Sequence, residues 1–235
     1  MTKHALLNNI EHRDLRVITT RSASLGDDMM AAPTFPAEFR NVQAHYPIVF
    51  AKSREGNFTP LALFGFREKQ NLFLQGDRWD AIYVPLMVER VPFLIGNAGA
   101  GKVVHIDMES PRVSRTEGEK LFLEHGGNTE YLERISAMLA TIDEELPATA
   151  AFVEALNQHE LLESFALDIE FRDGAQNRFA GFYAVQEERL AKLGAEALGA
   201  LHQRGFLQAI YMVVASFSNF RGLIERASKL KAADR

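Results

Sequence analysis

The hydrophobic period of the chain changes near its middle, and this change limits the possible folds more than any other feature. Before about residue 127, the apolar residues occur in short runs separated by Gly, Pro and Asn, as in PLALFGF at residues 60–66. A short continuous run of this kind is typical of a buried β-strand. From Tyr131 onward, apolar residues recur at intervals of three and four, which indicates amphipathic helices. The sequence therefore predicts an α+β protein.

Capping and breaking residues set the expected limits of the first long helix. Asn128 is a suitable N-cap, and Pro147 is expected to end the helix because proline lacks the N–H group that a helix interior requires. The apolar stripe between them comprises Tyr131, Leu132, Ile135, Met138, Leu139, Ile142 and Leu146. A second helix is then expected at about residues 149–162.

A β-hairpin and three further helices are expected after residue 162. FALDIEF (165–171) and RFAGFYAV (178–185) have the composition of paired strands, with Asp173 and Gly174 in their connection. The predicted helices that follow span residues 187–193, 195–203 and 206–230.

We expect these elements to form one α+β unit over residues 1–235. The N-terminal part is predicted to be a mixed β-sheet with short helices, one of them within residues 35–45. The hairpin at residues 165–185 is expected to join this sheet or lie beside it, and the C-terminal helices to cover one face. The best candidate for a domain boundary is the segment 111–127.

Composition excludes several functional classes. The net charge is −5, and acidic and basic residues are mixed along the whole length, so the chain lacks the basic stripe expected of a nucleic-acid-binding protein. The chain contains no Cys, which leaves only His and carboxylates as the main potential metal ligands. We predict no cofactor.

The sequence also bears on location. The N-terminus lacks the uninterrupted apolar core of a signal peptide, and the most apolar later segment, residues 206–217, is shorter than the roughly 20 residues that span a bilayer. We therefore expect no transmembrane segment and a cytoplasmic location, and export without a cleaved signal stays open.

One segment imitates a nucleotide-binding loop. Gly96, Gly101 and Lys102 have the spacing G-x-x-x-x-G-K, in which a glycine-rich loop leads into a helix that binds phosphate. However, Val103 stands where a magnesium-binding Ser or Thr is needed, and the following residues, VVHIDM, favour a strand. We therefore predict a β-hairpin with strands at residues 93–95 and 102–108, glycines that adopt positive φ angles, and no bound nucleotide.

His105 and Asp107 form an H-x-D motif that suggests a metal site. With a third ligand from His125, His159 or His202, they would resemble the two-His, one-carboxylate site of non-haem iron oxygenases. Strand alternation places His105 and Asp107 on one face, but the polar face of any half-buried strand has the same pattern. The simpler interpretation is a solvated strand face.

A polar, proline-containing segment offers a candidate binding surface. Asn71, Trp79, Tyr83 and Arg90 lie in or beside it, and amphipathic aromatic residues and arginine are the residue types enriched at binding hot spots. Alternatively, Trp79 and Tyr83 fill the core of the β-rich half.

The order of several short segments resembles that of the bacterial SapC family over residues 12–230. No single segment is diagnostic, and the resemblance depends on their order: YPIVF (46–50), ALFGF (62–66), NLFL (71–74), Trp79 with YVP (83–85), RVPF (90–93), GEKLF (118–122), GFYAVQEERLAKL (181–193) and LHQRGFL (201–207). The family takes its name from a gene cluster for a paracrystalline surface layer, and relatives are often encoded near outer-membrane receptors. Where relatives tend to have two basic residues before the Pro-Phe pair, this chain has Glu89 and Arg90.

Two functions follow as hypotheses. The resemblance implies an accessory protein of surface-layer or outer-membrane protein systems that binds a protein or peptide of the cell envelope. The alternative is an iron-dependent oxygenase that uses His105 and Asp107. The sequence shows no hydrolase motif and no other constellation suited to acid–base catalysis.

Overall fold

The computed structural model of the chain describes residues 3–99, 101–170 and 176–233. The strands are β1 His4–Leu6, β2 Arg16–Val17, β3 Ala31–Pro33, β4 Ile48–Lys52, β5 Phe58–Leu63, β6 Leu74–Gln75, β7 Arg78–Trp79, β8 Phe93–Ala98, β9 Gly101–Asp107, β10 Val113–Ser114, β11 Glu119–Lys120, β12 Leu162–Glu170 and β13 Gln176–Val185. The helices are α1 Phe39–Val42, α2 Leu86–Glu89, α3 Glu130–Gln158, α4 Glu187–Ala191, α5 Ala195–Gln203, α6 Phe206–Ser216 and α7 Asn219–Ala233.

The contacts divide the chain into two compact units. The first unit comprises the described residues up to Asp28, together with Leu74–Trp79 and Leu86–Glu144. The second comprises Met29–Phe73, Asp80–Pro85 and the described residues from Glu145 onward. The segment 111–127, which the sequence marks as a possible seam, lies inside the first unit. The single cooperative unit over the whole chain stays a prediction.

The first unit contains three small sheets and the first half of α3. The strand orders are β1–β9–β8, β10–β2–β11 and β6–β7. Leu132, Ile135 and Leu139 lie one helical turn apart along α3 and are buried against residues of these strands. The buried members of this core are Leu15, Val17, Phe93, Ile106, Leu121, Phe122, Leu132, Ile135 and Leu139.

The second unit contains a five-stranded sheet in the order β12–β13–β4–β5–β3. Helix α6 packs against β4 and β13. The hydroxyl of Ser216, at the end of α6, accepts a hydrogen bond from the amide of Ile48 at 2.9 Å and donates to the carbonyl of Val213 at 2.6 Å. Ser216 is fully buried, so this polar contact fixes the end of α6 on the first residue of β4.

The β12–β13 hairpin contains one extra residue in β13. Phe165 pairs with Phe182 and Ala166 pairs with Ala180, so Gly181 has no partner of its own. Gly181 has a φ of +95°, a conformation that glycine adopts without the steric cost of a Cβ atom. The bulge brings Phe179 and Phe182, three residues apart, onto one face, where their rings stack at 4.8 Å between centroids.

The structure confirms the α+β class, the C-terminal helices and the hairpin at residues 165–185. The hairpin joins the sheet, because Tyr183 of β13 pairs with Phe50 of β4. In place of the expected mixed sheet, the described residues form one five-stranded sheet and three smaller ones, and all strand pairs among them are antiparallel. Asp173 and Gly174 lie outside the described residues.

Two helix limits differ from those predicted. Helix α3 continues through Pro147 to Gln158, and its N-cap is Thr129, whose hydroxyl accepts a hydrogen bond from the amide of Leu132 at 3.3 Å. An interior proline costs about 3 kcal/mol. Phe152 and Leu156, which follow the proline, are completely buried, and burial of two such side chains offsets this cost.

The predicted helix at residues 206–230 is two helices. It is interrupted after Ser216, where the hydroxyl of Ser218 donates to the carbonyl of Ala215 at 2.9 Å. The side-chain amide of Asn219 donates to the carbonyl of Gln43 at 2.8 Å. Short polar side chains thus satisfy backbone groups at the break, which a hydrophobic pattern alone does not reveal. Among the residues that the structure describes, none of the helices combines the length and the apolar character needed to cross a bilayer.

Candidate binding surfaces

The segment that imitates a nucleotide-binding loop is a β-hairpin. Strands β8 and β9 pair antiparallel from Phe93–Ile106 to Ala98–Gly101, so they extend further into the glycine-rich stretch than predicted. Residues 101–107 form a strand, and no helix N-terminus follows the glycines to bind phosphate. The predicted hairpin is therefore confirmed.

The glycines of this hairpin have different roles from those predicted. Among the described ones, only Gly99 has a positive φ, at +59°. Gly96 lies within β8, where a Cβ atom would come within 2.7 Å of the His105 ring. Gly96 thus provides room for the imidazole of His105 rather than a special backbone angle.

Lys102 lies at the start of β9 and is half exposed. Its ammonium group pairs with the carboxylate of Asp143 at 2.9 Å, and the exposed fractions of the two side chains are 53% and 31%. An ion pair so open to solvent is worth little. The position fits the predicted solvated lysine, with one carboxylate partner that the sequence did not indicate.

His105 and Asp107 lie on one face of β9, as alternation requires, and both are half-buried. The Oδ1 atom of Asp107 accepts a hydrogen bond from the amide of Glu109 at 3.1 Å. Within the described ranges, no group of three His, Asp or Glu side chains is placed to hold a metal ion. The geometry therefore gives no support to the iron-oxygenase hypothesis.

The four residues of the predicted binding surface lie in both units. Asn71 and Tyr83 belong to the second unit, and Trp79 and Arg90 belong to the first. Trp79 is buried, in β7 opposite Leu74, and Asn71 accepts a hydrogen bond from the amide of Phe73 at 3.0 Å.

Tyr83 and Arg90 also make internal contacts. The Tyr83 hydroxyl donates to Glu38 at 2.9 Å, and the Tyr83 carbonyl accepts a hydrogen bond from Tyr46. Arg90 donates to the carbonyl of Phe93 at 2.9 Å, and burial lowers its pKa. All four residues thus contribute to the structure of their own units, and a contact surface formed by them stays a prediction.

A buried charge network in the first unit was not predicted. Arg112 forms a salt bridge with Asp27, and the side chains are only 2% and 3% exposed. Arg112 also donates to the carbonyls of Ile18 at 2.9 Å and Thr20 at 2.8 Å. Burial lowers the pKa of Arg112, and the carboxylate of Asp27 opposes this shift. The charge is therefore compensated by one anion and two backbone acceptors, as a buried arginine requires.

Arg21 extends this network toward solvent. Its guanidinium contacts the carboxylates of Asp27 at 3.3 Å and Glu89 at 3.1 Å. The amide of Ser22 donates a further hydrogen bond to Asp27 at 2.8 Å. Each of the four charged groups thus has an oppositely charged partner among the described residues, so the network compensates its own charges.

Tyr131 lies at the start of α3, close to this network. Burial raises its pKa to about 12, and the nearby carboxylate of Glu89 adds to the shift. Its ring lies 6.2 Å from that of Phe93 between centroids. A phenol with so high a pKa stays protonated at neutral pH and is unsuited to act as a general base.

Strand β12 forms one open edge of the five-stranded sheet in the second unit. This nine-residue strand ends the five-stranded sheet, and no strand among the described residues pairs with its outer side. The amide of Gln186 donates to the carbonyl of Leu161 at 2.9 Å, so this pair is hydrogen-bonded. Bonded and non-bonded pairs alternate in an antiparallel ladder. Counting from Leu161, every second residue of β12 therefore bonds to β13, and the backbone groups of the residues between them, including Ser164, Ala166 and Asp168, point away from β13.

The pairing on the other side of β13 agrees with this orientation. Tyr183 lies opposite Ser164 and pairs with Phe50 of β4. Its backbone groups therefore face β4, as expected for a residue whose pair with Ser164 is not hydrogen-bonded. Within residues 3–99, 101–170 and 176–233, the N–H and C=O groups on the outer edge of β12 therefore have no strand partner.

Together these features define an α+β protein with antiparallel sheets, a fully paired buried charge network and one long open sheet edge. The chain belongs to the SapC family, whose family model matches residues 7–223 of the 235. The comparison with curated proteins and the comparison with solved structures each gave no match.

Proposed function

We propose that this protein is a non-catalytic accessory protein of bacterial surface-layer or outer-membrane protein systems. In this proposal it acts by binding an extended segment of an envelope protein along the outer edge of β12. The observation that carries the binding mode is the nine-residue open edge, because an extended peptide can add a strand to such an edge through backbone hydrogen bonds. The association with the cell envelope rests on the family.

The two edges of the same sheet differ in a way that favours β12. The opposite edge, β3, is three residues long and ends with Pro33. Short edge strands and proline are devices that prevent strand addition. Strand β12 is three times as long and contains no proline, so its length suits strand addition.

Side chains on β12 indicate the kind of segment that would bind. Glu163, Ser164, Ala166 and Asp168 are exposed. Strand alternation places the carboxylates of Glu163 and Asp168 on opposite faces of β12, and charged residues on an edge strand disfavour its self-association. A segment with one Lys or Arg beside Glu163 on one face of the sheet and another beside Asp168 on the other face would instead complement them.

Capture from the native bacterium with matched variants tests the proposal. Ala166→Pro removes one outward N–H group and leaves the hydrogen bonds to β13 intact, and Ala166→Thr is the control that keeps the N–H group. We expect the wild type and Ala166→Thr to retain the same envelope protein and Ala166→Pro to lose it. Circular dichroism and the unfolding midpoint would establish that Ala166→Pro is folded.

Binding of the captured partner's own segment, as a synthetic peptide, gives a direct readout. Loss of one backbone hydrogen bond should raise its Kd at least about fivefold for Ala166→Pro. On binding, the amides of Ser164, Ala166 and Asp168 should become protected from hydrogen exchange in the wild type. Equal affinity of Ala166→Pro and wild type, or loss of capture with Arg90→Gln instead, would overturn binding at β12.

A further inference from the structure

A second candidate site lies in the first unit, on the small sheet β10–β2–β11. Arg16 of β2 lies directly opposite Lys120 of β11 and Ser114 of β10. Directly opposite residues of antiparallel strands project from the same face with Cβ atoms about 5 Å apart, and like charges in such a pair are destabilising. Arg16 and Lys120 are therefore two neighbouring cations on one face of this sheet, and their repulsion does not help to stabilise it.

Two more arginines line a depression beside this pair, and the depression has a volume of about 430 Å³. Arg13 and Arg115 line it together with Arg16 and Lys120, and Leu15 and Phe122 are its buried apolar residues. The lining contains two carboxylates, those of Asp14 and Glu124. Four cations against two carboxylates leave an excess of two positive charges on a protein whose net charge is −5.

Backbone carbonyls hold two of these guanidinium groups in place. Arg16 donates to the carbonyl of Gly118 at 2.9 Å, and Arg13 donates to that of Glu124 at 3.0 Å. Each guanidinium has five N–H donors, so most of them stay available. The carbonyl contacts thus orient the two side chains without neutralising them.

None of the four cations forms an ion pair with a carboxylate within the described part of the chain. Eight ion pairs occur elsewhere in it. The side chains of Arg115 and Lys120 also lack a hydrogen-bond partner there. An unpaired cation cluster in a concave place, with two members oriented, is the arrangement that recognises an anion with several oxygen atoms.

We propose that this depression, lined by Arg13, Arg16, Arg115 and Lys120, binds a phosphate or sulfate group. Arg16 and Lys120 contact the anion, and the ligand charge removes the repulsion within their cross-strand pair. The exposed side chain of Leu123 lies at the same depression, so an apolar part of a ligand has a surface to contact. A free phosphorylated molecule and an anionic lipid headgroup share this chemistry.

Titration with inorganic phosphate tests the site itself. In the wild type, chemical-shift changes of the Arg16 and Lys120 amides should saturate with phosphate and weaken as sodium chloride is added. Lys120→Gln should raise the Kd about tenfold, the effect of losing one charge-assisted hydrogen bond. Lys192→Gln, an equal change of charge at an exposed position in the second unit, should leave the Kd unchanged.

A gain of stability with a loss of binding distinguishes a ligand site from a structural one. Lys120→Glu should raise the unfolding midpoint of the ligand-free protein, because it turns a repulsive cross-strand pair into an attractive one, and it should abolish the phosphate response. A phosphate response that Lys120→Gln and Lys120→Glu leave intact, or no response in the wild type, would overturn the proposal.

Vesicles distinguish the two sources of the phosphate group. Phosphatidic acid vesicles that bind the wild type, with loss of binding in both Lys120→Gln and Leu123→Ser, would identify a lipid headgroup as the ligand. Phosphate binding without vesicle binding would identify a free phosphorylated molecule. Both results support the site, and neither depends on the edge of β12.

Discussion

Asp27 and Arg112 are 85 residues apart in the sequence and form a salt bridge with both side chains almost completely buried. Replacing Asp27 by Ala would leave the Arg112 cation buried without its anion. We expect a loss of about 3–5 kcal/mol in the free energy of unfolding, the usual result of removing one partner of a buried ion pair. Equilibrium unfolding in urea measures this loss.

The neighbouring Asp28→Ala is a matched control, because Asp28 is partly exposed and makes no such contact within the described residues. Its effect should stay within about 0.5 kcal/mol. A cost below about 1 kcal/mol for Asp27→Ala would contradict the structural role given to this salt bridge.

Lys102→Ala should have little effect on stability. The ion pair between Lys102 and Asp143 is exposed, so its loss should cost about 0.5 kcal/mol or less. Because the segment is a hairpin, ATP with magnesium should not raise the melting temperature of either protein. A rise with ATP in the wild type that Lys102→Ala abolishes would instead indicate a phosphate-binding loop.

Gly96→Ala should be destabilising because of the ring of His105. The added methyl group would come within 2.7 Å of that ring, and we expect a cost of about 1–2 kcal/mol for the displacement. Adding His105→Ala should remove most of this cost, giving a coupling energy of at least about 0.5 kcal/mol in a double-mutant cycle.

Gly199→Ala is a control for Gly96→Ala, because the same substitution should here stabilise the protein. Gly199 lies inside α5, and an added Cβ atom meets nothing within 4 Å. Alanine should therefore stabilise the protein by about 0.5–1 kcal/mol. Equal effects at Gly96 and Gly199 would contradict the contact with His105.

Tyr131 should make stability depend on alkaline pH. Its pKa in the folded protein is about 12, above the ordinary value of 10.0, so the unfolded state loses the phenol proton first. The stabilisation is present below pH 10 and is lost as the pH rises toward 12, by up to about 1.4 kcal/mol per pH unit. Urea unfolding of the wild type and Tyr131→Phe between pH 9 and 11 measures this difference.

The free energy of unfolding of Tyr131→Phe should depend less on pH than that of the wild type, because phenylalanine has no proton to lose. Tyr211→Phe, at an exposed position in α6, should retain the steep fall of the wild type. Parallel curves for the wild type and Tyr131→Phe would exclude the shifted phenol.

We expect the two compact units to unfold in one transition. The chain crosses from one unit to the other after residues 28, 73, 79, 85 and 144. Helix α3 continues across the last of these boundaries. Unfolding of one unit would therefore disrupt segments that the other requires. Calorimetry should give equal calorimetric and van't Hoff enthalpies. Two separate transitions, or two stable fragments after cleavage within residues 111–127, would show independent units.

Local signals predicted the parts of the fold that depend on neighbouring residues. The β8–β9 and β12–β13 hairpins follow from apolar strands joined by glycine-containing stretches, and α5 follows from its apolar spacing. The interpretation of Pro147 as a helix end was wrong, because burial of Phe152 and Leu156 depends on contacts that no local rule includes.

The candidate sites required knowledge of distant pairing. The buried Arg112 has no local signal, since its partner Asp27 lies far away in the sequence. Alternation placed His105 and Asp107 correctly on one face, but it could not show whether a third ligand lies nearby. Likewise, the hairpin containing β12 was predicted, whereas its position at the end of the sheet depends on the order of five strands.

The extra residue Gly181 lengthens β13 by one position without changing which side chains of the strand face each side of the sheet. The residues on each side of Gly181 pair regularly with β12. Phe182 lies opposite Phe165, and Ala180 lies opposite Ala166. A relative that lacks this one position can therefore retain every cross-strand neighbour and both faces of the hairpin. A relative with a β-branched residue there must change its backbone. At this point in the strand, a one-residue gap in an alignment is structurally more conservative than a substitution.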